Sequence, residues 1–220
     1  MNPDINPERK ADTLAATPPT QSPQTQTQKD SYLDIFKFAI IVLIIFLPIR
    51  LWVAKPFIVS GDSMYPTFQN NQYLIVDELT YRLEPPKRDD VIVFEYPYDV
   101  YLTSANHTGA KTYYIKRIIG LPGETIESKN GIISIINKDN PQGTVLNEPY
   151  VVNHSTAGDF SVTLTNNEYF VMGDNRPASS DSRVWGPLDG NLIVGRPFFR
   201  LLPPSAISVL PGGYKGNSAI

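Results

Sequence analysis

A run of apolar residues from Ile35 to Ala54, with no charge at all between Phe38 and Ile49, constrains this chain more than any other feature. Read as a helix rising about 1.5 Å per residue, such a run spans roughly 30 Å, the thickness of a bilayer's hydrocarbon core. Lys37 and Arg50 stand near its ends, where long side chains reach headgroups, and Trp52 suits the interface. Pro48 lies close enough to one end to be tolerated. A cleavable leader fits poorly, because a long tail precedes the run and no small-residue site comes after it. The expectation is a single transmembrane anchor over 31–54. Lys29 and Lys37 on one side balance Arg50 and Lys55 on the other, so charge alone leaves the orientation open.

Ahead of the anchor, residues 1–30 are polar and rich in proline, threonine and glutamine, too poor in apolar surface to offset the entropy of ordering. They read as a disordered tail, and Asp4, Glu8 and Asp12 are wrong for an acid-poor transit peptide. Behind the anchor the texture is β. Short branched or aromatic runs (Tyr73–Val76, Val91–Phe94, Tyr113–Ile115, Ile132–Ile136, Tyr169–Met172) are bounded by breakers such as Pro85-Pro86, Gly120-Leu-Pro-Gly123 and Gly173-Asp-Asn175. Asn130-Gly131 between two such runs signals a tight hairpin. The prediction is a mostly β domain over 55–205, with a tail over 206–220.

Composition then removes whole classes of chemistry. The 19 basic and 22 acidic residues leave a net charge of −3, which argues against a nucleic-acid partner. With no cysteine there is no disulfide, thiol nucleophile or thiolate metal site. The two histidines, His107 and His154, both in loop-like stretches, read as surface residues. No metal and no cofactor is implied.

Three segments carry the chemistry that remains. In Val59-Ser-Gly-Asp-Ser-Met-Tyr-Pro-Thr67, Ser63 lies nine residues beyond the anchor, which puts this loop near the bilayer surface. Gly61 permits close backbone approach, and Pro66 stiffens the end of the segment. In Tyr113–Gly123, alternation along a strand sends Lys116 to one face with Tyr114 and Ile118, and Arg117 to the other. Flanked by isoleucines, Lys116 is a candidate for desolvation, which lowers a lysine pKa and makes a neutral amine able to accept a hydroxyl proton. The third segment, Met172–Arg183, gathers Gly, Asp, Asn, Ser and two arginines after an apolar strand. Asp181 with Arg183 or Arg176 can pin that loop, and Ser179, Ser180 and Ser182 offer hydroxyls to orient a lysine.

Taken together and in this order behind an anchor, the three segments resemble the signature boxes of the type I signal peptidases, membrane serine proteases with a Ser/Lys dyad. A fourth shared piece is Lys87–Pro97, and the likeness runs from about Ile35 to Leu202. The resemblance implies an antiparallel β domain with a small β cap, reduced here to a β extension over 124–168. It implies Ser63 as nucleophile, Lys116 as general base and Ser179 as the hydroxyl that orients the lysine. Asp181 and Arg183 would form an ion pair supporting the loop, with Asp174 and Arg176 beside them, and the backbone N–H of Ser63 would donate to the oxyanion. Phe57, Val59, Met64, Phe68, Leu74, Val93, Tyr114 and Ile115 would line shallow pockets for small side chains, giving cleavage after Ala-x-Ala. The implied partners are signal-peptide-bearing preproteins emerging from the export machinery, and the lipid bilayer. The implied location is the plasma membrane, single-pass, with the N-terminus cytoplasmic and the catalytic domain on the outer face.

Two departures stand out. Gly61 occupies a position where some members place a serine that donates a second oxyanion hydrogen bond. Asp89 sits where an Arg-Gly-Asp order is commoner. The competing readings are a self-cleaving repressor-type Ser/Lys peptidase, which would bring a DNA-binding domain in place of the anchor, and a non-catalytic membrane-tethered β scaffold, which would lack Ser63 or Lys116.

Overall fold

The computed structural model describes residues 28–48, 54–97, 111–154 and 158–214. The chain divides into two units, Met1–Leu43 and Ile44–Ile220. Helix α1 runs from Gln28 to Pro48. Its large apolar side chains from Tyr32 to Phe46 are all at least 39% exposed, so the helix is apolar around its whole circumference beyond Lys37. Among the described residues no helix is long and apolar enough to cross a membrane. The physical reason is that Lys29, Asp30, Asp34 and Lys37 occupy the first half of α1, leaving an uncharged stretch of only about 16 Å from Phe38 to Pro48. Of the predicted anchor, residues 49–53 lie outside the described residues, and Ala54 belongs to a strand, paired with Asp77. Most of the predicted tail, 1–27, also lies outside them, as does His107.

The second unit is built from antiparallel strands: β1 (Ala54–Ile58), β2 (Tyr73–Asp77), β3 (Val91–Glu95), β4 (Tyr113–Gly120), β5 (Thr125–Lys129), β6 (Ile132–Ile136), β7 (Thr144–Val145), β8 (Phe160–Thr163), β9 (Glu168–Met172), β10 (Leu188–Asp189), β11 (Ile193–Leu202) and β12 (Ser208–Val209). The larger sheet has the order β1-β2-β11-β3-β4-β9-β10, with β12 on β11. The smaller sheet has the order β7-β6-β5-β8. The fold is mostly β, as the sequence predicts. Asn130-Gly131 joins β5 to β6 with φ of 52° and 78°, values that favour Asn and Gly in a two-residue hairpin turn.

Long-range strand pairing brings the pieces of the site together. Strand β4 lies between β3 and β9, with Lys116 opposite Ile92 and Arg117 opposite Met172. A buried cluster of Val59, Met64, Phe68, Leu74 and Val91 sits beneath the segment that leaves β1. Burying Met64 and Phe68, at 1% and 0% exposure, contributes about 1.5–3 kcal/mol each and fixes that segment to the sheet. A second cluster (Ile119, Ile126, Ile135, Phe170 and Met172 among its members) packs the smaller sheet against the ends of β4 and β9. Order also continues past residue 205, the predicted limit of the domain. Val209 pairs with Phe199, and the Gly212 carbonyl accepts a hydrogen bond from Arg117.

Candidate active site

Ser63 lies in a compact turn, where the Tyr65 amide donates to the Asp62 carbonyl and the Phe68 amide to the Met64 carbonyl. The entry to this turn is held by the Gly61 amide donating to Asn70 Oδ1 at 3.0 Å, with Gly61 at φ +86°. The Ser63 carbonyl accepts from the Asn175 amide at 3.0 Å, and Asn175 Nδ2 donates to the Asp62 carbonyl. These bonds tie the serine turn to the 173–183 loop and leave the Ser63 amide without an acceptor among the described residues.

Lys116 Nζ is 2.8 Å from Ser63 Oγ and 2.9 Å from the Ile115 carbonyl. The residue is 4% exposed. Burial drives its pKa down to about 8, while the Asp181 and Asp174 carboxylates pull the other way. Both carboxylates are themselves occupied. Asp181 accepts from Arg183 Nε and Nη2 and from the Gly173 amide. Asp174 forms a two-pronged pair with Arg117, at 2.8 and 2.7 Å, and also accepts from Thr67 Oγ1. A bidentate arginine pair of this kind fixes geometry as well as charge.

Of the other expected residues, Phe57, Val59, Leu74, Val93, Tyr114 and Ile115 line a cleft of about 340 Å³ that also contains Ser63 and Lys116. Met64 and Phe68 do not line it but lie in the cluster below, where Val59 and Leu74 also pack. Ser179 makes no bond to Lys116. Its Oγ is buried without a partner, packed against Gly173, and the Ile115 carbonyl is the second partner of the amine. Arg183, not Arg176, pairs with Asp181; Arg176 pairs with Glu148, both buried, and donates to the Gly173 carbonyl. His154 is exposed.

Sequence reasoning missed the scaffold behind the dyad. The Arg117 guanidinium stacks 4.0 Å above the Tyr150 ring and donates to the carbonyls of Asp89 and Gly212. Tyr150 Oη donates to Asp89 Oδ1. Asp89 has φ +69°, in the left-handed region that favours glycine. Here the aspartate accepts that conformation and uses its carboxylate to hold Tyr150. Glu148 and Tyr150 sit in an irregular stretch with no local pattern, so only their long-range partners reveal them.

The signal peptidase, peptidase S26, family model matches residues 32–202. The chain belongs to this family. It is 36% identical over 165 residues to a probable signal peptidase I-1 of Synechocystis sp., covering 75% of this chain and 80% of that one. A signal peptidase I of Leptolyngbya laminosa is 32% identical over 195 residues, with 88% and 92% covered. Signal peptidase I S of Bacillus subtilis is 34% identical over 168 residues, with 71% and 81% covered. The molecule is therefore a peptidase of the signal peptidase family.

Proposed function

We propose that this signal peptidase family member is a membrane-bound serine endopeptidase of type I, removing N-terminal signal peptides from exported preproteins after Ala-x-Ala. The observation that carries the reading is the 2.8 Å approach of a buried, pKa-depressed lysine amine to a serine hydroxyl at the head of an apolar cleft. In its neutral form Lys116 accepts the Ser63 hydroxyl proton as Oγ attacks the carbonyl carbon after the small residue. The Ser63 amide donates to the developing oxyanion. The lysine ammonium then returns the proton to the leaving amine, freeing the mature chain and leaving an acyl-enzyme. Lys116 next draws a proton from water as it attacks the ester, then passes that proton to the departing Ser63 Oγ, which releases the signal peptide and restores the dyad. The orienting role for Ser179 requires its buried, unpartnered hydroxyl to turn towards the Lys116 amine.

The anchor belongs to the same proposal. The apolar circumference of α1 and residues 49–53, apolar except for Arg50, together make a span when Lys37 and Arg50 snorkel to the headgroups. The catalytic unit then stands at the outer face, with the N-terminus in the cytoplasm.

The test is cleavage of a preprotein carrying Ala-x-Ala by the purified full chain in detergent, beside Ser63→Ala and Lys116→Ala. Cutting after the second alanine by the wild type alone, with the product N-terminus read by mass spectrometry, is the expected result. Equal cutting by either variant removes the dyad from the mechanism.

A further inference from the structure

A second pocket of about 270 Å³ adjoins the catalytic cleft, and Tyr113 lines both. Strand register sets their relation. Along β1 and the residue after it, Val59 and Phe57 face the cleft and Lys55 faces the second pocket. On β3, Val93 lines the cleft and Glu95 the pocket, and Val93 pairs with Ile115 as Glu95 pairs with Tyr113. Along β4 and the residues ahead of it, the step from Ile115 through Tyr113 to Lys111 makes the same passage. Side chains two apart on a strand share a face, so these residues lead from the cleft into the second pocket along one sheet face, while Ile58, Tyr114 and Lys116 reach the cleft from the alternate positions.

The lining changes character along that path. Around Ser63 it is apolar. In the second pocket Lys55, Arg82 and Lys111 stand against Glu78 and Glu95, three cations to two carboxylates. Lys55 meets Glu78 at 2.8 Å and Lys111 meets Glu95 at 2.7 Å. Arg82, exposed on the one-turn helix Thr80–Leu83, has no ion pair among the described residues. The lysine heads are about half exposed, whereas the glutamates are largely buried, so the outward surface of the pocket is a set of donors.

We infer that this pocket is a subsite for the fifth residue before the scissile bond and takes a carboxylate side chain there. The inference rests on the signal peptidase reading of the cleft. An extended substrate directs its first, third and fifth residues to one face, rising about 3.3 Å per residue. With the first residue beside Ile115 and Ser63 and the third beside Tyr113, the fifth falls beside Lys111. An acidic side chain meets Arg82 and the lysine heads, and a lysine or arginine meets the surplus positive charge.

Peptides with Ala-x-Ala and either Asp or Lys at the fifth position give the test, with kcat/KM read for both on one preparation of the full chain. That ratio is independent of the active fraction. Asp is favoured over Lys about threefold to tenfold at low ionic strength, and the preference shrinks as salt is raised. It reverses in the double variant Arg82→Glu, Lys111→Glu, and it vanishes when the charged residue moves to the fourth position, on the opposite face. Equal cutting of both peptides by the wild type, or a ratio the double variant leaves unchanged, overturns the subsite alone. A wild type that cuts no Ala-x-Ala peptide overturns the peptidase mechanism on which the subsite rests.

Discussion

A lysine amine beside a serine hydroxyl is useless as a base while it holds its proton, and burial of Lys116 is what removes it. With the pKa brought from 10.5 to about 8, kcat/KM for an Ala-x-Ala peptide is expected to rise with pH through about 8 and then level off. A profile flat between pH 6 and 9 contradicts this. The same shift carries a stability cost with a definite sign. Below pH 8 the folded and unfolded forms both hold the proton, and burying it is unfavourable. Between 8 and 10.5 the folded form is neutral while the unfolded form is still charged, so stability rises with pH across that window. Lys116→Met is therefore expected to be inactive yet more stable at pH 7, by up to about 3 kcal/mol, with the gain gone near pH 10.5. Melting temperatures at the two pH values check it. Asp89 offers a second residue-scale test, because its φ of +69° and its bond to Tyr150 act in opposite directions. Asp89→Ala loses the bond and keeps the strain, costing about 1–2 kcal/mol in denaturant unfolding, whereas Asp89→Gly gives most of that back.

Among the elements, the serine turn and the 173–183 loop make a close backbone contact. A Cβ on Gly173 would collide with the Ser63 carbonyl and with Ser179 Oγ. Gly173→Ala is expected to push the turn off the Asn175 amide and lower kcat about 10²-fold with a much smaller change in KM, read by steady-state kinetics. The sequence makes some of this arrangement legible and hides the rest for a physical reason. Alternation along Tyr113–Gly120 separates Lys116 from Arg117, and Asn130-Gly131 marks its hairpin, because both signals are local. The pairing of Arg117 with Asp174 spans 57 residues and that of Arg176 with Glu148 spans 28, and nothing local announces either. Met64 and Phe68 show the same limit. An apolar residue beside a nucleophile reads equally as pocket wall or core, and Val59 and Leu74, which pack with Met64 and Phe68 and also line the cleft, are both at once. Ser179 is legible as a hydroxyl near the site but not as one without a partner.

For the whole molecule, the anchor reading makes a prediction about sidedness. In intact spheroplasts, added protease is expected to digest the β domain that follows the anchor while a tag at Met1 survives until the membrane is opened; loss of the tag first reverses the orientation. One detail of strand pairing also bears on how this chain tolerates change in length. Between β4 and β9 the register skips a residue, Ile118 facing Val171 and Gly120 facing Phe170, so Ile119 is the extra residue, and it is fully buried with its carbonyl held by Arg88. That bulge is a stop on a sliding rule. Insertions upstream of Lys111 fall ahead of the paired strand and leave the base in place. A single deletion between Lys116 and Ile119 would index the strand by one notch and present the serine with Ile115, which has no proton acceptor to offer.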